Sequence, residues 1–197
     1  MIEDGVEIGP GSSVWDNVHI RHHTVIGEQC IIGGKSLIAY EVKIGNRVKI
    51  NSNVYICYGV TLEDGVMVSA GTIFTNDRFP RATTPDLLNL RSSSPDEETF
   101  FTTVRAGATI GAGCIIGSDL TIGRFAMVGM GAVVTKDVPD FHLTIGSPTR
   151  SIGFVCRCGQ LVAKFAEIEN CAADHEHQCS HCDRGYFVVD QVVTENI

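Results

Sequence analysis

In the stretch Ile20-Arg21-His22-His23-Thr24-Val25-Ile26-Gly27-Glu28-Gln29-Cys30-Ile31-Ile32-Gly33, a large aliphatic residue recurs at every sixth position. A small or β-branched residue, Thr24 or Cys30, stands two places before it, and glycine follows it at 27 and 33. Outward from there the same phase runs through Ile2, Ile8, Val14, Ile20, Ile26, Ile32, Ile38, Ile44, Ile50, Ile56, Leu62, Val68 and Phe74. It resumes at Val104, Ile110, Ile116, Ile122, Val128 and Val134. With 44% of residues hydrophobic, the unbroken first run would arise by chance in one of six phases roughly once in 10,000. A period of six matches neither the 3.6 of a helix nor the two of a long strand, but it suits short parallel strands with a bend every six residues. Two inward positions per hexad then fill a narrow core, and three hexads close a triangular coil of eighteen residues. At the ~4.8 Å strand spacing, the coils predict a prism roughly 25 to 30 Å tall. The glycines after the aliphatic position, Gly9, Gly27, Gly33, Gly45, Gly111, Gly117, Gly123 and Gly129, mark the bend, where a Cβ is a hindrance.

The chain has 197 residues, enough for one domain and a small appendage with a sizeable core. Fifteen Lys+Arg against twenty-three Asp+Glu give a net charge of -8, which argues against sequence-independent nucleic-acid binding and against an anionic-membrane anchor. An anionic ligand therefore has to be held by local basic groups. Only 19% of residues are charged, which excludes general disorder. No apolar run approaches the ~18 to 20 residues that span a bilayer. The start, Met1-Ile2-Glu3-Asp4-Gly5, carries neither the basic nor the apolar region of a secretory signal, so the expectation is a cytoplasmic protein.

Between Phe74 and Val104 the repeat breaks for a polar, proline-punctuated insertion, residues 75–103, that opens Thr75-Asn76-Asp77-Arg78-Phe79-Pro80-Arg81. A loop of this length inside a compact solenoid points to function, while residues 91–99 read as a solvated excursion. Residues eighteen apart stack on successive coils, so Asn76 is predicted over Tyr58, Tyr40 and His22 at about 5, 10 and 15 Å. The next column reads Asp77, Gly59, Glu41 and His23, and another reads Gly71, Asn53, Lys35 and Asn17. Together these columns predict a groove below the loop that suits an elongated ligand with hydroxyls and a flat ring. The competing reading is that Tyr40 and Tyr58 only pack against a neighbouring subunit.

The hexad of aliphatic, Gly, two variable, small and variable positions resembles that of the hexapeptide-repeat acyltransferases, over residues 1 to about 155. The resemblance implies an all-β fold, a left-handed parallel β-helix, assembled as a homotrimer with sites between neighbouring subunits. Phe74-Thr75-Asn76-Asp77-Arg78-Phe79-Pro80-Arg81, Val60-Thr61-Leu62-Glu63-Asp64 and Gly129-Met130-Gly131-Ala132-Val133-Val134-Thr135-Lys136-Asp137-Val138-Pro139 look like the acetyl-CoA-dependent N-acetyltransferases of nucleotide-linked 3-amino sugars. Asn-Asp-x-x-Pro-Arg is closest to the group acting on dTDP-3-amino-3,6-dideoxyhexoses. The sister group acting on UDP-2-acetamido-3-amino-uronates has a different residue where Asp77 stands, and Asn at Phe79. By this resemblance Asn76 is the catalytic candidate, orienting the amine or steadying the oxyanion. Asp77 would bind the amine or a hydroxyl and Arg81 an anionic group. Tyr58, Tyr40, Lys35 and Asn53 complete the candidate substrate set. Gly131 and Ala132 would expose backbone groups to the pantetheine arm, and Lys136 and Arg150 are candidates for the CoA phosphates.

Acyl transfer to a sugar hydroxyl needs a general base, and O-acetyltransferases of this type place a histidine by the loop. Here no histidine lies between His23 and His142. That favours N-acylation, in which a neutral amine attacks unaided, with His142 the one remote candidate for an imidazole. The three-histidine zinc site of γ-type carbonic anhydrases is not supplied by His19, His22, His23 and His142. A non-catalytic β-helix scaffold is the alternative of another class.

After Phe154 the repeat stops, and residues 156–197 read as a separate zinc-ribbon-like segment following a 1–155 β-helix domain. Cys156-Arg157-Cys158-Gly159 and Cys179-Ser180-His181-Cys182 resemble two knuckles, whose four thiolates would close a structural zinc site. Cys171, His175, His177 and His181 are possible substitute ligands. Gly185-Tyr186-Phe187-Val188-Val189 reads as a strand. Cys30 and Cys114 occupy inward positions and read as packing residues.

Overall fold

The computed structural model describes residues 1–168 and 175–196. Cys171 lies outside the described residues. The hexads build a three-faced parallel β-helix. The chain visits a first face at Glu7–Ile8, a second at Ser13–Val14 and a third at His19–Ile20, then returns to the first at Val25–Ile26. Parallel register follows the eighteen-residue coil, as in Val25 against Lys43 and Leu37 against Tyr55. Across the insertion the partner moves forty-two residues on, Leu62 against Val104, and the coil resumes in phase.

Inside the prism, Ile20, Ile38, Ile56, Phe74, Ile116 and Val134 form one fully buried ladder, each at 0% exposure. The small inward positions complete the fill, with Thr24, Ser36, Thr72 and Thr102 buried. Their hydroxyls donate to carbonyls one face away, as in Thr24 Oγ1 to Ala39 O at 2.8 Å, so the narrow core holds them without unpaired groups. Cys30 and Cys114 do the same with their thiols, to Gly45 O and Gly129 O, both at 3.1 Å.

The glycine after the aliphatic residue answers to the neighbouring coil. A Cβ on Gly9 would lie 2.6 Å from the carbonyl carbon of Gly27. The left-handed backbone falls two residues later, at Gln29, Arg47 and Phe125 among others, with φ of 56°, 55° and 53°.

Past the last full coil the second sheet continues. His142–Ile145 pairs parallel with Met127–Val128, and Arg150–Val155 and then Leu161–Lys164 add antiparallel strands. A three-stranded antiparallel sheet of His175–Gln178, Gly185–Val189 and Val192–Glu195 packs onto this extension. A second core joins the two, with Phe141, Phe154, Phe165, Tyr186 and Val188 buried together beside Cys156 and Cys179. Among the described residues no helix is long and apolar enough to cross a membrane.

Candidate active site and thiol cluster

The insertion leaves the prism at the corner between the third and first faces. Asn76 takes the place predicted for it above Tyr58, and its amide Nδ2 donates to Tyr58 O at 3.2 Å. The chain re-enters at Phe100, whose N–H donates to Asn76 O at 2.9 Å, while Asp77 and Thr99 bridge to form the stem. Arg78 braces that stem: it pairs with Asp119 at 2.8 Å and lies over the Phe100 ring at 4.5 Å. Nothing in the hexad pattern singled out Arg78, because its partner lies forty-one residues on, across the insertion.

Down this corner runs a ladder of rings. His22 stacks on Tyr40 at 5.1 Å, Tyr40 lies tilted against Tyr58 at 5.0 Å, and Tyr58 meets Phe101 at 5.9 Å. The eighteen-residue column predicts the first three, with Asn76 above them; the fourth ring comes from the next column, where Asp77 is expected over Gly59. Asp77 departs into the stem, and Phe101 occupies the level above Gly59. Gly59, at φ +84°, permits that approach, since a Cβ there would lie 3.1 Å from Phe100 O. At the lower end Glu3 binds His19 Nε2 at 2.7 Å and His22 Nδ1 at 3.0 Å, which together hold its carboxyl down to about 2. Cys57, buried beside the ladder, has its thiol pushed up to about 12 by burial, so it is no nucleophile near neutrality.

The loop folds back over Tyr40 and forms a pocket lined by Tyr40, Asp77, Arg81, Arg91 and Ser92 among others. Residues 91–99 are therefore not a detached excursion, because Arg91 and Ser92 to Asp96 form one wall. Of the loop arginines, Arg78 is paired with Asp119 and Arg91 with Glu98 at 2.9 Å. Arg81 reaches only its neighbouring carbonyl, Pro80 O, at 2.9 Å, and is the guanidinium left for an anion. A second groove on the far side of the stem is lined by Thr75, Asp77, Arg78, Gly117 and Lys136 among others. Asp77 thus borders both spaces. Among the described residues, no histidine lines either of them.

Other candidates fall elsewhere. Lys35 and Asn53 do not lie below the loop. They sit on the turns that precede Leu37–Ile38 and Tyr55–Ile56, at the corner between the second and third faces, one face width from Tyr40 and Tyr58. Gly131 shares that corner. Ala132 is fully buried and its carbonyl already accepts from Ile115 N at 2.9 Å, so it offers no free carbonyl to a ligand. Arg150 is exposed at the start of its strand, with its guanidinium on Thr149 O at 2.8 Å. His142 is buried among the C-terminal strands. Its Nε2 donates to Gln191 O and its Nδ1 accepts from Ser151, each at 2.8 Å, so both ring nitrogens are engaged.

The four cysteines converge. Sγ of Cys156, Cys158, Cys179 and Cys182 all lie within 4.8 Å of one another, with Cys156 to Cys182 at 3.3 Å and Cys158 to Cys179 at 3.6 Å. A tetrahedron with Zn–S of about 2.3 Å has edges near 3.8 Å, so the donor set fits a four-coordinate zinc. N–H groups of His181 and Cys182 point at Cys179 and hold its thiol down to about 6. The possible substitutes His177 and His181 are not part of this cluster.

Residues 2–39 and 41–76 match the family described as bacterial transferase hexapeptide (six repeats), and residues 23–58 match the hexapeptide repeat of succinyl-transferase. The matched span is thus the first four coils of the prism. Over 96 residues, the chain is 37% identical to the dTDP-3-amino-3,6-dideoxy-alpha-D-galactopyranose 3-N-acetyltransferase of Aneurinibacillus thermoaerophilus. That match takes in 49% of the chain and 45% of the relative, so it spans under half of the relative's length. Among solved structures, a mutant of AntD, an N-acyltransferase from Bacillus cereus in complex with dTDP and coenzyme A, superposes with TM-score 0.62 at 22% identity, over 86% of this chain and 88% of that one. The acetyltransferase domain of PglB from Neisseria gonorrhoeae, in complex with acetyl coenzyme A, gives 0.58 at 17% identity, over 72% and 57%. At these identities the two structures speak for the shared fold.

Proposed function

We propose that the chain transfers an acetyl group from acetyl-CoA to the primary amine of a dTDP-linked 3-amino-3,6-dideoxyhexose. The observation that carries this reading is the position of Asp77. It separates a loop pocket holding Tyr40 and Arg81 from a groove holding Lys136, which gives two ligands a common border at one carboxylate. The curated relative acts on such a sugar, and AntD is described with dTDP and coenzyme A, which supports the choice of both substrates.

In this scheme Asp77 accepts a hydrogen bond from the sugar amine and turns its lone pair toward the thioester carbonyl. The amine is uncharged in an appreciable fraction near neutrality, so it attacks without an imidazole, and among the described residues none lines the pocket or the groove. One N–H of the Asn76 amide is held by Tyr58 O, and the other is left for the oxyanion of the tetrahedral intermediate. The thiolate of coenzyme A departs with the proton that the amine loses. Arg81 pairs with the diphosphate, Tyr40 and Tyr58 wall the sugar, and Lys136 and Arg150 meet the CoA phosphates.

A homotrimer is part of the proposal. On the third face Leu37, Tyr55, Ile73 and Ile115 stand in register on the outside, a half-exposed apolar column suited to a second copy. Lys35, Asn53 and Gly131, on the opposite edge of that face, would then approach a neighbour's loop pocket. The four cysteines hold a structural zinc with no open position, and reduced thiols of this kind suit a cytoplasmic setting.

Thiol release from acetyl-CoA, measured with a panel of dTDP- and UDP-linked amino sugars and their hydroxyl counterparts, tests the reading. Turnover with a dTDP-3-amino sugar is the expected result. Turnover with hydroxyl acceptors alone would overturn direct amine attack, and no turnover with any acceptor would favour a scaffold.

A further inference from the structure

The metal ligands come from two segments that meet nowhere else in sequence. Cys156 and Cys158 lie at the end of Arg150–Val155, the strand that prolongs the second face of the prism, while Cys179 and Cys182 belong to the small three-stranded unit. Tyr186 connects them. It is fully buried, its hydroxyl donates to Cys156 Sγ at 3.1 Å, and that oxygen accepts from Arg157 N at 3.0 Å. A buried hydroxyl aimed at sulfur, with the Cys158 N–H also directed at it at 3.5 Å, is the donor set a metal-bound thiolate takes. The Tyr186 ring stands edge-on to Phe141 at 5.5 Å, and Phe141 stacks on Phe125 of the last coil at 5.7 Å. Arg157, between the two ligands of the first knuckle, lies over the Phe125 ring at 4.4 Å. His142 adds a separate tie, through Gln191 O.

A solenoid has to cover the last coil's exposed core, and a repeat cannot do this with another copy of itself. We propose that the four-thiolate module is the cap of this β-helix, and that metal held by it fixes residues 141–155 against the last coil. The zinc closes a segment of more than twenty residues and locks Tyr186 and Arg157 onto Phe141 and Phe125. Gly146 to Arg150, on the rim that this strand pair carries, are ordered by the same ion. The inference rests on the metal reading and is independent of acyl transfer.

Hydrogen exchange on the full-length protein, compared between the zinc-loaded form, the form stripped by a chelator, and the stripped form given Zn²⁺ again, tests it. One zinc per chain is expected, with exchange in 141–155 rising at least tenfold on stripping and falling again on reloading. Exchange in 25–74 should not change. Tyr186→Phe, which keeps the ring and all four ligands, should retain zinc yet raise exchange in 141–155 severalfold. Absence of zinc with four reactive thiols would overturn the metal site. Zinc loss that leaves 141–155 protected, or that opens 25–74 equally, would overturn the local cap. Unchanged exchange in Tyr186→Phe would remove that residue as the link.

Discussion

The hexad prism and the cysteine module are both built from short strands, yet they are held together by different means. In the prism each hexad repeats the same step: one large apolar and one smaller residue turned inward and a carbonyl ready for the next N–H, with a glycine in many hexads where the next backbone passes closely. Stability accumulates coil by coil. The module has too few residues for that. Its core is a small cluster of aromatic and aliphatic side chains, and four sulfur atoms converge where its two halves meet. A periodic fold tolerates the loss of one contact by spreading it, whereas a fold pinned at a point depends on that point.

The largest effect that can sharpen this contrast comes from the middle of the prism. Ile56 is fully buried, and Ile56→Ala should cost about 2 to 5 kcal/mol, since neighbouring coils at fixed strand spacing cannot collapse into the gap. Chemical denaturation of the zinc-loaded and stripped forms should show the same loss in both. A loss that depended on zinc would mean that the two regions unfold as one body.

What the sequence discloses divides along the same line. The prism is legible because its cause is periodic. Ile20, Ile38 and Ile56 stack because eighteen residues make a coil, and the same count puts Asn76 above Tyr58. The site is legible only as far as that count extends. Phe101 enters the ring ladder because the insertion returns in phase at Thr102, and the stem that carries off Asp77 is closed by a bridge to Thr99 that no repeat encodes. Lys35 and Asn53 belong to a true column, but a column position does not say which corner faces the loop; that follows only once each hexad is assigned to a face. In the module the ligand spacing disclosed the sulfur cluster, while Tyr186, Phe141 and Phe125, which tie it to the prism, carry no sequence mark.

A smaller effect tests whether the loop corner acts apart from both regions. Asn76→Ala should slow kcat tenfold or more, about 1.4 kcal/mol or above in the transition state, with zinc content unchanged. Arg81→Ala should raise KM for the nucleotide sugar more than it lowers kcat, because pairing with the diphosphate is the same in ground and transition states. An Asn76→Ala enzyme with wild-type kcat would remove that amide from the mechanism.

The smallest effects separate the two ends of the molecule by pH. Burial, opposed by Gln191 O and by the charge of Asp140, lowers the pKa of His142 from 6.5. The unfolded chain therefore binds that proton first, and the stability from neutral His142 is complete above 6.5 and is lost as the pH falls through the lower folded value. Glu3, at the other end, is held at about 2 by His22 and His19 against an ordinary 4.5, so its contribution is complete above 4.5 and fades only toward 2. Acid should accordingly loosen the capped end before the first coil. With zinc kept saturating, His142→Asn should flatten the fall in Tm between pH 7.5 and 5.5, and Glu3→Gln should flatten the fall below 4.5. Both ends losing stability over one shared pH window would break the distinction, because the cap would then transmit its titration through every coil, which a stack of nearest-neighbour contacts does not do.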